Sequence, residues 1–490
     1  MRVLMVSMEM VPFAKVGGLA DVIGSLPKEL AKYSKVDVIL PYYGSLTDNL
    51  FKKFQNQDLK MNKILEDKIL NIDYEIYEVQ NYNTDVKVYL FKNEKLFERE
   101  GIYLDKNGKP FEDEFFRYLV FNLAVVNFIK QNNYDIIHCH DWHSAFTILY
   151  LKYLNLSNKT VFTIHNIAYQ GVFEKEMLKD IDLNFREFII NHCEYYSKIN
   201  LMKGAILLSD IVSTVSPNYA NEIMNSSEFG MGLENILKMN SHKLIGILNG
   251  IDYDLWNPLT DSSLYKNYDI NNVNEGKEEN KLKLLFDLKL LNDKNNFNND
   301  IPIFGVVARL DYQKGFDILY DSFKKLLDNN IVAYLVVLGT GNVDIQKKIE
   351  QLGTEYPNYV SVNIKFSEDL ARKIYAASDF FLIPSRFEPC GLSQMISYKY
   401  GTIPIATKTG GLKDTIIDIF EDNVNGTGIL IDKADPVLLF TALERVHELY
   451  KNKDFIFNLR KKIMKLDFSW NNSSKKYFEV YKQLLSYNII

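Results

Sequence analysis

Cysteine is scarce in this sequence, and the few cysteines present are far apart. Cys139, Cys193 and Cys390 form an odd and sparse set in a chain of 490 residues. Such a set argues against a disulfide framework and favours a reducing compartment. We therefore expect a cytoplasmic protein whose thiols are free.

Long apolar runs and a basic excess are also lacking. No run approaches the roughly 20 apolar residues that a membrane helix needs, and the opening segment MRVLMVSME predicts a β-strand rather than a signal peptide. A net charge of −6 argues against a nucleic-acid partner, which usually requires a broad basic surface. We expect a soluble protein with neither a membrane nor a nucleic-acid partner. An anionic substrate stays compatible, because a locally basic cleft can lie within an acidic protein.

Apolar residues are plentiful by contrast, at 47% of the chain, and occur as short runs that alternate with helical patterns. This alternation predicts β-α-β units and parallel sheets in two or three domains. The predicted strands of the first half are Arg2–Ser7, Lys35–Leu40, Asp135–Cys139, Val161–Ile164, Ile211–Val215 and Leu244–Leu248. Those of the second half are Ile303–Ala308, Ala333–Leu338, Val360–Lys365, Phe380–Ile383, Ile403–Ala406 and Gly428–Ile431.

A cluster of turn-forming residues, 249–258 (NGIDYDLWNP), separates the two series of strands and is the predicted hinge. We predict a Rossmann-like domain at 1–250, a second at 251–465 and a C-terminal helix at 466–490 that packs back on the first domain. The Asn- and Lys-rich stretch 267–300 has helical apolar spacing in its middle, at Asn280–Leu290, and much of its Asn and Lys is interpreted as compositional bias on solvated surface.

Ligands of such sheets bind beyond the carboxyl ends of the strands, where helices begin. We therefore expect an α/β protein whose two Rossmann-like domains face each other across a cleft that holds the ligand. The residues at the strand ends decide which chemistry is done there.

The first strand is followed by Lys15–Asp21 (KVGGLAD). The paired Gly17 and Gly18 let the backbone approach a ligand closely. The helix start offers N–H groups and a partial positive charge, and Lys15 adds a mobile cation. This combination suits a diphosphate, although an ordinary strand-to-helix turn explains the segment equally well. A Walker A loop and the dinucleotide motif G-x-G-x-x-G are both absent.

The third predicted strand runs into His138–His143 (HCHDWH). This run is similar to the H-x-H-x-D-H motif of metallo-hydrolases, but Asp141 lies one position too early and no downstream ligands are evident. We favour a strand end that presents Asp141, Trp142 and His143 to a sugar, whose C–H face packs on aromatic rings. A core position for Trp142 is an equal alternative.

Four more candidates follow other strand ends. His165 ends the fourth strand. Arg309 and Lys314 lie after the first strand of the second series, where a bidentate fork and a point charge can hold a diphosphate and stabilise its departure without a metal. Glu388 precedes a helix start, where it can accept hydrogen bonds from sugar hydroxyls or simply cap the helix. A glycine pair at 410–411 resembles the pair at 17–18.

Five segments together resemble bacterial glycogen synthases and plant starch synthases. Their order and spacing match over almost the whole chain, from Met1 to at least Trp470. The segments are Lys15–Val22 (KVGGLADV), His140–His143 (HDWH), Thr163–Asn166 (TIHN), Asn249–Asp252 (NGID) and Arg386–Leu392 (RFEPCGL).

The resemblance implies the B-type glycosyltransferase fold, ADP-glucose as donor and the non-reducing end of an α-1,4-glucan such as glycogen as acceptor. It also implies retention of configuration and no metal or other cofactor. The implied catalytic residues are Asp141, His165, Arg309, Lys314 and Glu388. The implied substrate-binding residues are Lys15, Gly17, Gly18, Trp142, His143, Tyr169, Asn249, Phe366, Cys390, Gly391 and Leu392.

Particular roles are implied for some of these positions. Lys15, Arg309 and Lys314 match groups at the donor diphosphate, and Glu388 matches the glutamate that contacts the glucose. Phe366 falls where the family commonly has an aromatic ring, often Tyr, stacked on the adenine.

The chain also departs from the family. The acceptor loop, usually Phe-Asp-Arg-Pro, is replaced by Leu96–Glu100 (LFERE), so acceptor affinity is the property affected. Ile396 stands where related retaining transferases have a second glutamate, which favours glycogen synthases over them. The alternatives are a transferase with a UDP-sugar donor or a small acceptor, a metal-dependent hydrolase centred on His138–His143, and a catalytically silent glucan-binding protein.

Overall fold

The computed structural model describes residues 1–53, 59–82, 85–106 and 108–486. The chain divides into two compact units. The first comprises Met1–Gly250 with Trp470–Ile490, and the second Ile251–Ser469. The first boundary falls inside the predicted hinge, and the second lies four residues beyond the start we assigned to the C-terminal segment at 466. Residues 487–490 of that segment lie outside the described residues.

The first unit is built on a large sheet that is parallel except at one edge. Its strand order is β12-β11-β7-β6-β1-β2-β5-β4-β3, and only the pairs β5–β4 and β4–β3 are antiparallel. The strands are β1 (Arg2–Val6), β2 (Lys35–Pro41), β3 (Lys60–Ile69), β4 (Ile72–Gln80), β5 (Lys87–Lys92), β6 (Ile136–His140), β7 (Lys159–Ile164), β11 (Ile211–Thr214) and β12 (Leu244–Gly246). A small antiparallel sheet contains β8 (Val172–Phe173), β9 (Glu194–Tyr195) and β10 (Lys198–Asn200).

Helices accompany this sheet, and the C-terminal one completes the unit. The helices are α1 (Gly18–Leu30), α2 (Ser45–Lys53), α3 (Glu94–Phe97), α4 (Glu114–Lys130), α5 (Ala145–Tyr153), α6 (Leu183–Cys193), α7 (Leu201–Leu208), α8 (Pro217–Asn225), α9 (Ser227–Gly230), α10 (Glu234–Met239) and α19 (Trp470–Ser486). Helix α19 packs against α1, because its apolar stripe, which includes Trp470, Tyr477 and Tyr481, is buried within the unit. The direction in which successive strands are added to this sheet reverses between β1 and β6. The β1–α1 and β6–α5 connections leave the sheet at this reversal point.

The second unit contains a fully parallel sheet with the order β15-β14-β13-β16-β17-β18. Its strands are β13 (Ile303–Val307), β14 (Tyr334–Gly339), β15 (Val360–Ile364), β16 (Phe380–Ile383), β17 (Ile403–Thr407) and β18 (Ile429–Ile431). Its helices are α11 (Val273–Asp287), α12 (Phe316–Asp328), α13 (Val343–Glu355), α14 (Glu368–Ala377), α15 (Ser393–Lys399), α16 (Gly410–Thr415), α17 (Pro436–Tyr450) and α18 (Lys453–Ile463). This is the doubly wound order, in which ligands bind where the winding reverses. Here that point lies between β13 and β16.

The predicted strands agree with observed ones to within two residues at each end. The prediction of parallel α/β domains is therefore confirmed. Sequence analysis missed the β3–β4 hairpin, although Ile72, Tyr74 and Ile76 alternate with acidic residues in β4 as a half-exposed strand requires. Strand β3 is mostly exposed and rich in charged residues, so its sequence shows no apolar alternation from which a strand paired with β4 could be predicted.

The interpretation of much of the Asn and Lys in 267–300 as solvated surface was wrong within its helical part. Helix α11 places Lys277, Asn280 and Lys281 in the protein interior, each at most 2% exposed. A cationic side chain is buried only where other groups compensate its charge, so these residues need partners. Among the described residues, no helix is both long and apolar enough to cross a membrane.

Candidate active site

The loop after β1 is held by a buried carboxylate, Glu9, that sequence analysis missed. Its Oε2 accepts the backbone N–H groups of Val16 at 2.5 Å and Gly17 at 2.8 Å. Its Oε1 accepts the Tyr103 hydroxyl at 2.8 Å. Burial raises the pKa of Glu9, against these hydrogen bonds, which lower it. The only sequence signal was an acidic residue directly after a buried strand.

The glycine loop itself leaves space at the start of α1. A Cβ added to Gly17 would meet no atom within 4 Å, so the room in front of this backbone is open. Lys15 Nζ lies 2.8 Å from the Asp21 carboxylate, and both side chains are partly exposed. Lys15, Gly17 and Gly18 thus lie together at a helix N-terminus, where an anion is favoured.

Asp141 follows β6 in a strained conformation that points its carboxylate across the next strand end. Its φ of +57° is in the left-handed region, which is costly for a residue with a side chain. Its Oδ1 accepts the backbone N–H of His165 at 2.8 Å. Burial raises the pKa of Asp141 to about 7, although the amides of His165 and Asn166 lower it. The structure thus brings Asp141 and His165 together, as two adjacent strand ends predicted.

A row of three histidines continues from this point into the core. His165 Nε2 lies 3.0 Å from His140 Nδ1, and the His140 ring lies 4.1 Å from that of His138. His138 contacts the Tyr481 hydroxyl at 2.7 Å and Thr163 Oγ1 at 2.6 Å. Burial lowers the pKa of His165 and of His138 to about 3, so these imidazoles are neutral.

The histidine row does not form a metal-binding cluster. Both ring nitrogens of His138 are engaged by protein groups, and no group of three or more His, Cys, Asp or Glu that could hold a metal occurs in the described part of the chain. The three imidazole rings instead contact one another in sequence from the buried His138 to His165. His165 is the member nearest to Asp141, which accepts its backbone N–H.

Trp142 and His143 belong to a buried aromatic cluster. Trp142 is 5% exposed, its ring stacks on His143 at 4.0 Å, and a Cβ on Gly171 would lie 2.3 Å from the ring. This packing agrees with the core alternative for Trp142. Burial lowers the pKa of His143 to about 3, and its buried Nδ1 has no hydrogen-bond partner in the described part of the chain. Tyr169, by contrast, is 54% exposed.

Asn249 follows β12 and lies just before the boundary of the first unit at Gly250. It is buried, and its Oδ1 has no hydrogen-bond partner among the described residues. A buried amide oxygen without a partner is costly. Asn249 is therefore suited to a donor group from a ligand, as sequence analysis predicted, but the structure does not connect it to the strand-end residues.

In the second unit, the loops after β13 and β16 are fastened together. Arg386 forms a bidentate pair with Asp317 at 2.8 and 2.7 Å and covers the Tyr312 ring at 3.5 Å. Gly315 has a φ of +73°, and a Cβ there would lie 2.0 Å from the Pro384 carbonyl oxygen. Glycine is thus required at 315 for the two loops to approach.

This fastening brings Lys314 and Glu388 into contact at the reversal point of the sheet. Lys314 Nζ donates to Glu388 Oε2 at 2.6 Å, and the Ser385 hydroxyl donates to the same oxygen at 2.9 Å. The two charged side chains are only 19% and 10% exposed. Arg309 lies on the same loop as Lys314, with 52% of its side chain exposed and Asp311 3.6 Å away. These residues were predicted separately, and the structure brings Lys314 and Glu388 together.

The remaining predicted residues of this unit differ in exposure. Cys390 is 5% exposed, and Gly391, at a φ of +71°, and Leu392 lead into α15. Phe366 is 78% exposed, so its ring face is available to a ligand.

The glycine pair at 410–411 has a different role from the pair at 17–18. Added Cβ atoms would lie 1.9 Å from the Glu388 carbonyl oxygen and 2.1 Å from that of Cys390. These glycines therefore let α16 pack closely against the Glu388 loop.

The altered loop at Leu96–Glu100 begins in the core, where Leu96 and Phe97 are buried, and ends at the exposed Glu100. Phe97 is fully buried among Tyr43, Phe91 and Phe121. Arg99 pairs with Asp113 on the chain segment before α4. The loop is thus anchored by its own packing, and its predicted effect on acceptor affinity stays a prediction.

Comparisons with known proteins agree on one relationship. Residues 2–239 match the family model "Starch synthase catalytic domain", and residues 288–463 match "Glycosyl transferases group 1". Curated proteins named glycogen synthase are 41% identical in Fervidobacterium nodosum, over 99% of each chain, and 39% identical in Thermosipho melanesiensis, over 100% of each. The structure of the catalytic domain of starch synthase IV from Arabidopsis thaliana, bound to ADP and acarbose, has a TM-score of 0.87 and 34% identity, with 99% of each chain covered.

Proposed function

The chain belongs to the glycogen and starch synthase family, has the B-type glycosyltransferase fold and is a hexosyltransferase with glycogen synthase function; we propose that it moves glucose from ADP-glucose to the non-reducing end of an α-1,4-glucan with retention of configuration. The proposed substrates are ADP-glucose and glycogen. No metal or other cofactor is part of the proposed reaction.

The Lys314–Glu388 contact at the reversal point of the second sheet is the observation that carries this proposal. A cation and a carboxylate 2.6 Å apart, at the place where doubly wound sheets bind nucleotides, suit a phosphate and a sugar bound side by side. In the proposal, Lys314 and Arg309 hold the diphosphate, Glu388 accepts hydrogen bonds from glucose hydroxyls, and the exposed Phe366 ring stacks on the adenine. Cys390, Gly391 and Leu392 line the same donor pocket.

In the first unit, Lys15, Gly17 and Gly18 contribute a cation and a helix N-terminus that favour the diphosphate. Asp141 and His165 orient the glucose. Because burial keeps His165 neutral at physiological pH, it offers a hydrogen bond without placing a positive charge beside a positively charged sugar carbon. His143, Tyr169 and Asn249 are the further proposed substrate contacts, whereas Trp142 stacks on His143 in the core.

The proposed chemistry proceeds on one face of the sugar. The bond between glucose and phosphate breaks with oxocarbenium character, and Arg309 and Lys314 stabilise the charge that develops on the departing ADP. The acceptor 4-hydroxyl attacks from the face that ADP leaves, and the leaving phosphate takes its proton. No side chain acts as a covalent nucleophile in this scheme.

A labelling assay tests the proposal. Radiolabelled glucose from ADP-glucose is offered to glycogen, with UDP-glucose in a parallel reaction and EDTA in both. Label in the polymer from ADP-glucose alone is the expected result. Label from UDP-glucose alone would overturn the donor assignment. Label from neither donor would refute transfer to glycogen, and small acceptors would then be tested.

A further inference from the structure

The second unit contains a polar cavity far from the carboxyl ends of its strands. It has a volume of about 260 Å³ and lies among α11, the segment before β13, the start of β16 and α17–α18. One of its walls is Asp379, which directly precedes β16 and whose Oδ2 accepts the N–H of Ile303, the first residue of β13, at 3.0 Å. The cavity therefore lies at the amino ends of the strands, and the residues proposed to bind the donor lie at the opposite ends.

Two buried cations share one carboxylate in this cavity. Lys281 Nζ lies 2.9 Å from Asp379 Oδ2, and Arg460 Nη2 lies 2.5 Å from Asp379 Oδ1. The side chains of all three residues are at most 8% exposed. Two positive charges beside one negative charge leave an excess of one positive charge in an interior where unbalanced charge is costly.

A third buried cation, Lys277, has its own compensation. Its Nζ donates to the carbonyl oxygens of Tyr375, Ala376 and Tyr400 and to Thr402 Oγ1, at 2.7 to 3.3 Å. The three carbonyls lie at the C-terminal ends of α14 and α15, where the helix dipole is negative. Lys277 thus joins two helix ends. Being a cation itself, it supplies no negative charge to balance Lys281 and Arg460.

Arg460 also has an unused donor. Its Nη1 donates to Asn274 at 2.9 Å and its Nη2 to Asp379, but Nε is buried with no partner among the described residues. Arg460 is only 6% exposed, and it lines the cavity. At the rim, Lys453 is paired with Asp300 at 3.3 Å, and the exposed Glu278 keeps the entrance from being purely basic.

We propose that this cavity binds a small oxyanion of the phosphate class, held by Arg460 and Lys281. The anion supplies the missing negative charge. One of its oxygens accepts the N–H of Arg460 Nε, and its charge balances the ammonium group of Lys281, which already donates to Asp379, Asn299 and the Tyr450 hydroxyl. Both inorganic phosphate and a small phosphomonoester present this group, and the cavity volume accommodates either. Because the site is at the amino ends of the strands, occupancy stabilises the second unit without competing for the donor.

The test is phosphate binding to the full chain carrying Lys314→Ala, which removes a cation from the proposed donor site. Inorganic phosphate is titrated by calorimetry, and thermal unfolding is followed in parallel, because a ligand that binds only the folded state raises the melting temperature. The variant Arg460→Gln is added to this background, with Arg445→Gln as the matched control, since Arg445 is exposed and stacks on Phe420. Phosphate affinity is expected to fall about tenfold or more with Arg460→Gln, the usual effect of losing a hydrogen bond to a charged group, and to stay unchanged with Arg445→Gln. Equal affinity in both variants overturns the proposal.

A second measurement does not depend on the folding of a variant. Crystals of the unsubstituted chain grown with ADP are soaked in selenate, and the anomalous signal locates the anion. Selenium between Arg460 and Lys281 is expected, and a cavity without selenium at a concentration that saturates the thermal shift refutes the site. A glycerol phosphate titration distinguishes the two sources: tighter binding than inorganic phosphate identifies a phosphomonoester, and weaker binding identifies the free ion. Binding of neither overturns the proposal. All these outcomes are independent of whether the chain uses ADP-glucose.

Discussion

The contact between Lys314 and Glu388 permits a prediction in which stability and turnover respond in different ways. Replacing Lys314 by Ala removes a cation that has two roles in our proposal. It balances the carboxylate of Glu388 in the free enzyme, at 2.6 Å, and it stabilises the charge on the departing ADP. The two roles are separable because Glu388 can itself be neutralised by Glu388→Gln.

The magnitudes follow from burial. With both side chains mostly buried, Lys314→Ala leaves Glu388 with only the Ser385 hydroxyl among its described partners, and the orphaned carboxylate should cost about 1–3 kcal/mol of unfolding free energy. Turnover should fall by about 10²–10³, or ~2.7–4 kcal/mol of transition-state stabilisation. In Lys314→Ala/Glu388→Gln the unfolding free energy should return to within ~1 kcal/mol of the unsubstituted protein. Turnover of the double variant should stay well below that of Glu388→Gln alone, because Lys314 is still missing at the departing ADP.

Urea unfolding followed by tryptophan fluorescence measures the first quantity, and incorporation of labelled glucose at saturating donor measures the second. Lys324→Ala is the control, because Lys324 forms an exposed pair with Glu355 at 2.9 Å. It should change unfolding by at most ~1 kcal/mol and leave turnover unchanged. The reasoning is refuted if the double variant turns over as fast as Glu388→Gln alone, since Lys314 would then act only as the counter-charge of Glu388. Near-normal turnover of Lys314→Ala refutes it as well.

Other residues give narrower predictions. Glu9→Leu removes the acceptor of both loop amides and should raise the KM for ADP-glucose by about tenfold, at ~1–3 kcal/mol per buried hydrogen bond lost; an unchanged KM would show that the loop keeps its conformation without Glu9. Phe366→Ala should weaken donor binding by about 1–3 kcal/mol with little change in kcat, and equal donor affinities would remove the stacking role. Tyr481→Phe should lower the unfolding free energy by about 1–3 kcal/mol but leave the donor KM unchanged, which urea titration and kinetics check together. Burial holds the pKa of His138 at about 3 against an ordinary 6.5, so the unfolded chain takes up the proton first and stability should fall as pH drops from 6.5 towards 3. In His138→Phe this slope should be shallower, and an identical slope would contradict the assignment.

Much of the proposed donor side could be predicted because its residues follow buried strands in short segments. Arg309, Lys314 and Glu388 each come within a few positions of a strand end, and parallel strands deliver their ends to one edge of a sheet. The same rule placed Asp141 beside His165. It could not show that Lys314 touches Glu388, since that contact depends on the Arg386–Asp317 pair and on Gly315, which draw two loops together.

Local sequence patterns did not determine which of the candidate site residues are buried in the protein and which face a ligand. Trp142 in a polar segment is compatible with a sugar platform or with the core, and only its neighbours His143 and Gly171 show that its ring is covered. The glycines at 410–411 look like those at 17–18, yet a Cβ added to Gly17 would meet no described atom within 4 Å, whereas Cβ atoms added at 410 and 411 would meet backbone. A glycine pattern records that something approaches closely, and it does not say whether this is a ligand or the protein itself.

The sequence by itself determined the two series of parallel strands, the boundary near Gly250 and the family, because these depend on runs and motifs within a few residues of each other. The tertiary structure decided which charges meet. Glu9 reaches Tyr103, and Lys281 and Arg460 reach Asp379 from 98 and 81 residues away. No local pattern encodes such partners, since a buried charge is compensated by whatever the fold brings within hydrogen-bonding distance.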